Sequence, residues 1–252
     1  MKNIVSHYNI IIVITSSYRT TNIKTTTISS TWNDTLNFLN SETSVCDWQN
    51  SSDFNSSSTI GRGDDDDDIV MGHDVFHNLV GGNNGVHCNT YNEVIRLDIQ
   101  NNNLTGTIPT EIYVLSNIES IDLNANFLQG TIPKKIGEEL VYLKELRLAN
   151  NQFNGTLPGT LQFLTDLSIV SLNGNSLQGA VSGLIQSAPA IDKLKHIDLS
   201  SNNFTGTIPD IFVFQSPLEK LFLNNNQFNG TIPQSLYSSP SLQKIDLSNN
   251  QL

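Results

Sequence analysis

The 252-residue chain has little of what marks an enzyme, a nucleic-acid binder or a membrane span. It holds only two cysteines, Cys46 and Cys88, which excludes a four-cysteine zinc site or a multi-disulfide miniprotein and leaves room for one bridge. Lys and Arg number 13 against 24 Asp and Glu, a formal net charge of −11. Affinity for phosphate backbones comes from clustered Lys and Arg, so nucleic acid is not an expected partner. No apolar run approaches the roughly 18 residues of a spanning helix, so membrane attachment would need a segment absent from this chain. No Gly-Lys pair exists, hence no Walker loop. In Gly174-Asn175-Ser176-Leu177-Gln178, Gln stands where a G-x-S-x-G elbow needs its second Gly. His196 and Asp198 lie two residues apart, with no Ser or Cys placed by motif to complete a triad. No Gly-rich loop or H-R-D segment of a kinase occurs. The expectation is a non-enzyme with no cofactor and no catalytic or metal site.

What the chain does have is a repeat. The string L-x-x-L-x-L-x-x-N-x-L-x-G-x-I-P aligns seven times, with its Asn at 102, 126, 151, 175, 202, 226 and 250. The steps are 24, 25, 24, 27, 24 and 24 residues. Position four reads Leu97, Ile121, Leu146, Val170, Ile197, Leu221, Ile245, and position eleven is always Leu or Phe. The core of each copy alternates with period two, the pattern of a short strand with one buried face. One copy cannot bury that face alone, so successive copies stack, and their strands form a parallel sheet along one wall. The recurrent Asn bonds backbone groups that the turn leaves unpaired. The Gly at position thirteen suits a positive φ. The Pro three residues later fixes φ on the opposite wall. The position-eleven side chains form a spine inside the coil.

The string Leu104 to Ile112, L-T-G-T-I-P-T-E-I, and its relatives resemble the plant-type extracellular leucine-rich repeat. The resemblance covers 94–252. It implies an α/β fold: a right-handed leucine-rich-repeat solenoid, or horseshoe, with a concave parallel β-sheet and an irregular or 3-10 convex side. In that family a cap motif C-x-W-x-G-V-x-C precedes the first repeat, and its two Cys are bridged. Here Cys46-Asp47-Trp48 and Gly85-Val86-His87-Cys88 match its halves. The resemblance thus implies a Cys46–Cys88 disulfide, closing a loop of about 43 residues and constraining the unfolded chain by roughly 4 kcal/mol. Trp32 and Leu36 to Leu39 look like the family's upstream cap helix. Residues 18–93 are therefore the cap region, with an insertion over 49–84.

That insertion is dense in Asn, Ser, Gly and Asp and lacks an apolar period, which reads as a disordered acidic loop. Its short motifs have bland readings. Arg62-Gly63-Asp64 is a three-residue match. Asp64 to Asp68 lacks the ligand spacing and the turn Gly of a calcium loop. His73-Asp74-Val75-Phe76-His77 has Asp for Glu and no amphipathic helix around it. Residues 1–17 resemble a secretory signal, with Ile10 to Ile14 as apolar core. Seven Asn-x-Ser/Thr sequons, at Asn33, Asn50, Asn55, Asn103, Asn154, Asn203 and Asn229, agree with a secreted or cell-surface chain and mark N-glycosylation positions.

The candidate binding surface is the outward face of the predicted sheet. Position five reads Asp98, Asp122, Arg147, Ser171, Asp198, Phe222, Asp246. Arg147 and Phe222 break that column, and both are residue types that anchor interfaces. Glu145, Ile169, His196 and Lys220 stand near them. The resemblance implies a protein or peptide ligand on this face, as in a receptor ectodomain. Alternatives are a structural or adhesive surface protein, and an inhibitor of a secreted hydrolase. The chain stops at Leu252, position eleven of the seventh copy. The expectation is that the natural polypeptide continues, and that Leu242, Ile245 and Leu247 face water on one side.

Overall fold

A computed structural model describes residues 85–181, 184, 192–210 and 216–252. Each repeat passes through two sheets, so strands numbered along the chain alternate between them. The first sheet has eight strands: β1 (Gly85–Cys88), β2 (Val94–Asp98), β4 (Ser120–Asp122), β6 (Glu145–Arg147), β8 (Ile169–Ser171), β10 (His196–Asp198), β12 (Lys220–Phe222) and β14 (Lys244–Asp246). From β2 onward all pairs are parallel, and position four aligns Cα to Cα from Leu97 to Ile245. The first six of these side chains are at most 1 % exposed, as the stacking argument requires. Ile245, on the outermost coil, is 45 % exposed, and Leu242 and Leu247 are half-buried. At the other edge β1 runs antiparallel to β2 and buries Val86. Asn89 holds their connection: its Oδ1 accepts from the N–H groups of Tyr91 and Glu93.

The second sheet revises the sequence reading. The sequence predicts an irregular or 3-10 wall opposite the first sheet; 3-10 turns are there, and a six-stranded parallel sheet precedes them along the coil. Its strands are β3 (Thr105–Gly106), β5 (Phe127–Thr131), β7 (Gln152–Thr156), β9 (Ser176–Gly179), β11 (Asn203–Thr207) and β13 (Gln227–Asn229). The physical reason is spacing. Once the first sheet stacks coils about 4.8 Å apart, an extended segment elsewhere in the coil meets its counterpart at hydrogen-bonding distance. Each such segment buries one large side chain, so no period-two signal marks it. Beyond it come 3-10 turns at Thr110–Val114 and Gly159–Phe163, and single-turn helices α1 (Lys135–Glu139) and α2 (Gln234–Tyr237). Helix is thus a minor part of the described fold.

Position eleven forms the expected spine: Leu128, Phe153, Leu177, Phe204 and Phe228 are fully buried, and the last two rings stack at 6.3 Å. The recurrent Asn does more than bond its own turn. Asn126 Oδ1 accepts from the N–H groups of Asn102 and Leu104 one coil back, while its amide donates to the Ile99, Leu123 and Asn124 carbonyls. Asn151, Asn175, Asn202, Asn226 and Asn250 repeat the pattern, each reaching the preceding coil. The residue before each Asn is left-handed in all seven copies, with φ between +53° and +67°, whether Asn, Ala, Gly or Ser. The helical wall is tight where α1 meets the next coil: a Cβ on Gly137 would lie 2.1 Å from the Thr160 carbonyl oxygen.

Candidate binding face

The six candidate residues fall on four adjacent strands of the eight-stranded sheet. Glu145, Ile169, His196 and Lys220 form one in-register row across β6, β8, β10 and β12. Arg147, Ser171, Asp198 and Phe222 form the next. All six candidates are half-buried, because side chains on one sheet face shield one another. Their chemistry divides them into two groups.

Glu145 and Arg147 belong to a network of paired charges on β2, β4 and β6, in which the enclosed Arg96 Nε has no hydrogen-bond partner. Arg147 Nε lies 3.2 Å from Glu145 Oε2 and 3.9 Å from Asp122 Oδ2. Arg96 pairs with Asp98 at 3.0 Å. Ser120 donates its hydroxyl to Glu145, and Asp122 accepts the Asn124 N–H. Asp98 and Asp122 are only 2 % and 5 % exposed, although a strand-face Asp reads as solvated in the sequence. Burial pushes the Asp122 carboxyl up from the ordinary carboxylate range. The Asp98 charge adds to that rise, and the Asn124 N–H and both arginines oppose it. The signal available in the sequence was the Asp98, Asp122, Arg147 succession at position five in three consecutive copies.

Among the described residues the side chains of the second group make no hydrogen bond or ion pair. Ile169, His196, Lys220 and Phe222 lie on β8, β10 and β12. The Phe222 ring meets the His196 imidazole edge to face, centroids 5.8 Å apart. His196 Nε2 is enclosed and has no hydrogen-bond partner. Burial holds the His196 pKa below its usual value, the Lys220 charge lowers it further, and Asp198 opposes. The ring is therefore neutral at neutral pH. Lys220 stands in register with Lys244, and among the described residues neither has an ion-pair partner. The neighbouring carboxylates are occupied: Asp198 accepts from the Ser200 N–H and hydroxyl, and Asp246 likewise from Ser248.

Cys88 ends β1 and packs against the core. Cys46, the insertion over 49–84, the sequons at Asn33, Asn50 and Asn55, and the signal-like segment lie outside the described residues. Among the described residues no cluster of His, Cys, Asp or Glu is placed to hold a metal ion, and no helix is long and apolar enough to cross a membrane.

Models of the leucine-rich-repeat family match residues 93–115, 142–164 and 192–252. The fold is shared with Pollen Receptor Kinase 3, at 29 % identity and a TM-score of 0.59, over 66 % of this chain and 78 % of that one. The repeats are leucine-rich repeats of the plant extracellular type. Two Arabidopsis receptor structures share this solenoid. The receptor kinase HAESA, in complex with the peptide hormone IDA and the co-receptor SERK1, is 31 % identical with a TM-score of 0.57. The match covers 62 % of this chain and 26 % of HAESA. The ectodomain of GASSHO1/SCHENGEN3, in complex with CASPARIAN STRIP INTEGRITY FACTOR 2, is 37 % identical with a TM-score of 0.51, over 62 % of this chain and 21 % of that one. This leucine-rich-repeat chain thus spans about a quarter of either larger receptor. No curated protein sequence matches it.

Proposed function

We propose that this solenoid is a non-catalytic, receptor-like binding module, secreted or held on the outer side of a cell surface, that takes a peptide or protein segment on the eight-stranded sheet across β8, β10 and β12. One observation carries the reading. On a sheet whose position-five acids and Arg147 are paired within the chain, Ile169, His196, Lys220 and Phe222 are contiguous, and among the described residues their side chains make no hydrogen bond or ion pair. The Phe222 ring against His196, with Ile169 on the other side of His196, offers the apolar anchor of an interface hot spot. An enclosed imidazole nitrogen without a partner is a polar group that a ligand can satisfy, and leaving it unmet costs about 1–3 kcal/mol. Lys220 and Lys244 add charge for an acidic group. The complex of HAESA with the peptide hormone IDA supports this choice of partner class. A Cys46–Cys88 bridge is part of the proposal, fastening the cap to the β1 edge.

The test is selection from a displayed library of random peptides on the secreted chain, followed by crosslinking from a photoreactive residue placed at Phe222 or at Gln178 on β9 of the other sheet. The selected peptides are expected to crosslink from position 222 and not from 178. Peptides that crosslink only from 178 would overturn the proposal.

A further inference from the structure

We infer that the six-stranded sheet is an N-glycosylated wall, with Asn103, Asn154, Asn203 and Asn229 carrying N-linked oligosaccharides while the eight-stranded sheet stays bare. The fold restricts which asparagines can be sequons. The buried Asn of the ladder is always followed two residues on by the position-eleven spine Leu or Phe, so it can never head Asn-x-Ser/Thr. Asn124, Asn173 and Asn224, on the eight-stranded side, are each followed two residues on by Asn. Positions ten and twelve differ, since their second neighbours point outward from the other sheet.

The geometry suits the modification. Asn154 and Thr156 lie in β7, and Asn203 and Thr205 in β11, so each acceptor amide and its hydroxyl share the outer face through the period of two. Asn229 ends β13 with Thr231 just beyond, and Asn103 leads into β3 with Thr105. All eight side chains are exposed. The residue between them is a buried spine residue in two cases, Leu104 and Phe204, and in the other two is Gly155 or Gly230, where a Cβ would crowd Thr131 or Thr207 of the preceding coil. In the transfer, the Asn amide nitrogen bonds to the anomeric carbon of a lipid-pyrophosphate-linked oligosaccharide. The sugar–phosphate bond breaks, the lipid pyrophosphate leaves with its electron pair, and the amide gives up one proton. The glycans would cover this wall and direct protein partners to the other sheet.

The inference rests on the proposed extracellular location, and the experiment separates the two. The whole chain is expressed in plant cells with its own N-terminus and, in parallel, behind the leader of an unrelated secreted protein. An N-glycanase converts each glycan-bearing Asn to Asp, and peptide mass spectrometry reads positions 103, 154, 203 and 229. Conversion at these positions is expected. Intact Asn at all four, in material secreted behind the foreign leader, would overturn the inference. Retention of the chain that has only its own N-terminus would count against the location alone. Shielding is read by labelling Gln178→Cys, which sits opposite Asn203, and Ser171→Cys on β8 with a bulky maleimide. Deglycosylation should speed labelling several-fold at 178 and leave 171 unchanged. Equal rates at 178 before and after would refute the shielding.

Discussion

Replacing Asn126 by Ala tests the idea that buried side-chain amides hold one coil to the next. Asn126 is 5 % exposed and makes five hydrogen bonds, two accepted from backbone N–H groups and three donated to carbonyls. The Leu123 carbonyl keeps a second donor in Asn151, but the buried Leu104 N–H and Ile99 carbonyl lose this partner. At about 1–3 kcal/mol for each unmet buried group, the expected loss for the two is roughly 2–6 kcal/mol. That is a large part of the roughly 5–15 kcal/mol that holds a typical domain. The same change at half-buried Asn250 on the outermost coil is expected to cost less than about 1 kcal/mol, because water replaces the amide there. Asn126→Asp keeps the acceptor but turns a carboxylate toward three carbonyls, so it should be no better than Ala. Because a solenoid opens locally, the assay is hydrogen exchange at the Leu104 amide together with denaturant unfolding. Equal costs at 126 and 250, or a well-tolerated Asn126→Asp, would refute the reasoning.

Three further outcomes follow from the same coordinates. Gly137→Ala drives a Cβ into the Thr160 carbonyl and should cost about 1–3 kcal/mol in denaturant unfolding, whereas Gly159→Ala, whose Cβ meets nothing within 4 Å, should change little. Ala125 sits at φ +54°, a conformation costing an L-residue about 1–2 kcal/mol, so Ala125→Gly should stabilise by about 0.5–1 kcal/mol after the added chain entropy is offset; a fall in Tm would contradict this. The raised pKa of Asp122 means that the folded chain holds more proton than the unfolded chain just above the ordinary carboxylate range. Its contribution to stability therefore falls as pH rises through that window. Asn at 122 should remove that slope in melting curves recorded across it, and an unchanged slope would refute the assignment.

The register of the first sheet was legible because position four repeats an aliphatic residue that only stacking can bury, and Leu97 through Leu221 are buried as that logic requires. The ladder was half legible: the need for an Asn was evident, but its reach to the preceding coil depends on coil spacing, which no single copy encodes. The second sheet was not legible, since β5, β7, β9, β11 and β13 carry one buried Leu or Phe each and β3 carries none. The left-handed residue before Asn was hidden because Ala125 and Ser201 stand where Gly or Asn would have announced it. At the candidate face, the break in the position-five column singled out β6 and β12 but treated Arg147 and Phe222 alike. Only the distances show that Arg147 is held by Glu145 and Asp122 while the Phe222 ring meets His196.

The most direct test of the binding face is the dissociation constant of a peptide selected on the chain, measured by calorimetry for wild type and for Phe222→Ser, with a melting curve of each protein. A hot-spot aromatic should cost at least about tenfold in Kd, or roughly 1.4 kcal/mol, while Tm stays nearly unchanged because the ring lies on the outer face of β12. An unchanged Kd at unchanged Tm would contradict the assignment of β8, β10 and β12 as the ligand face.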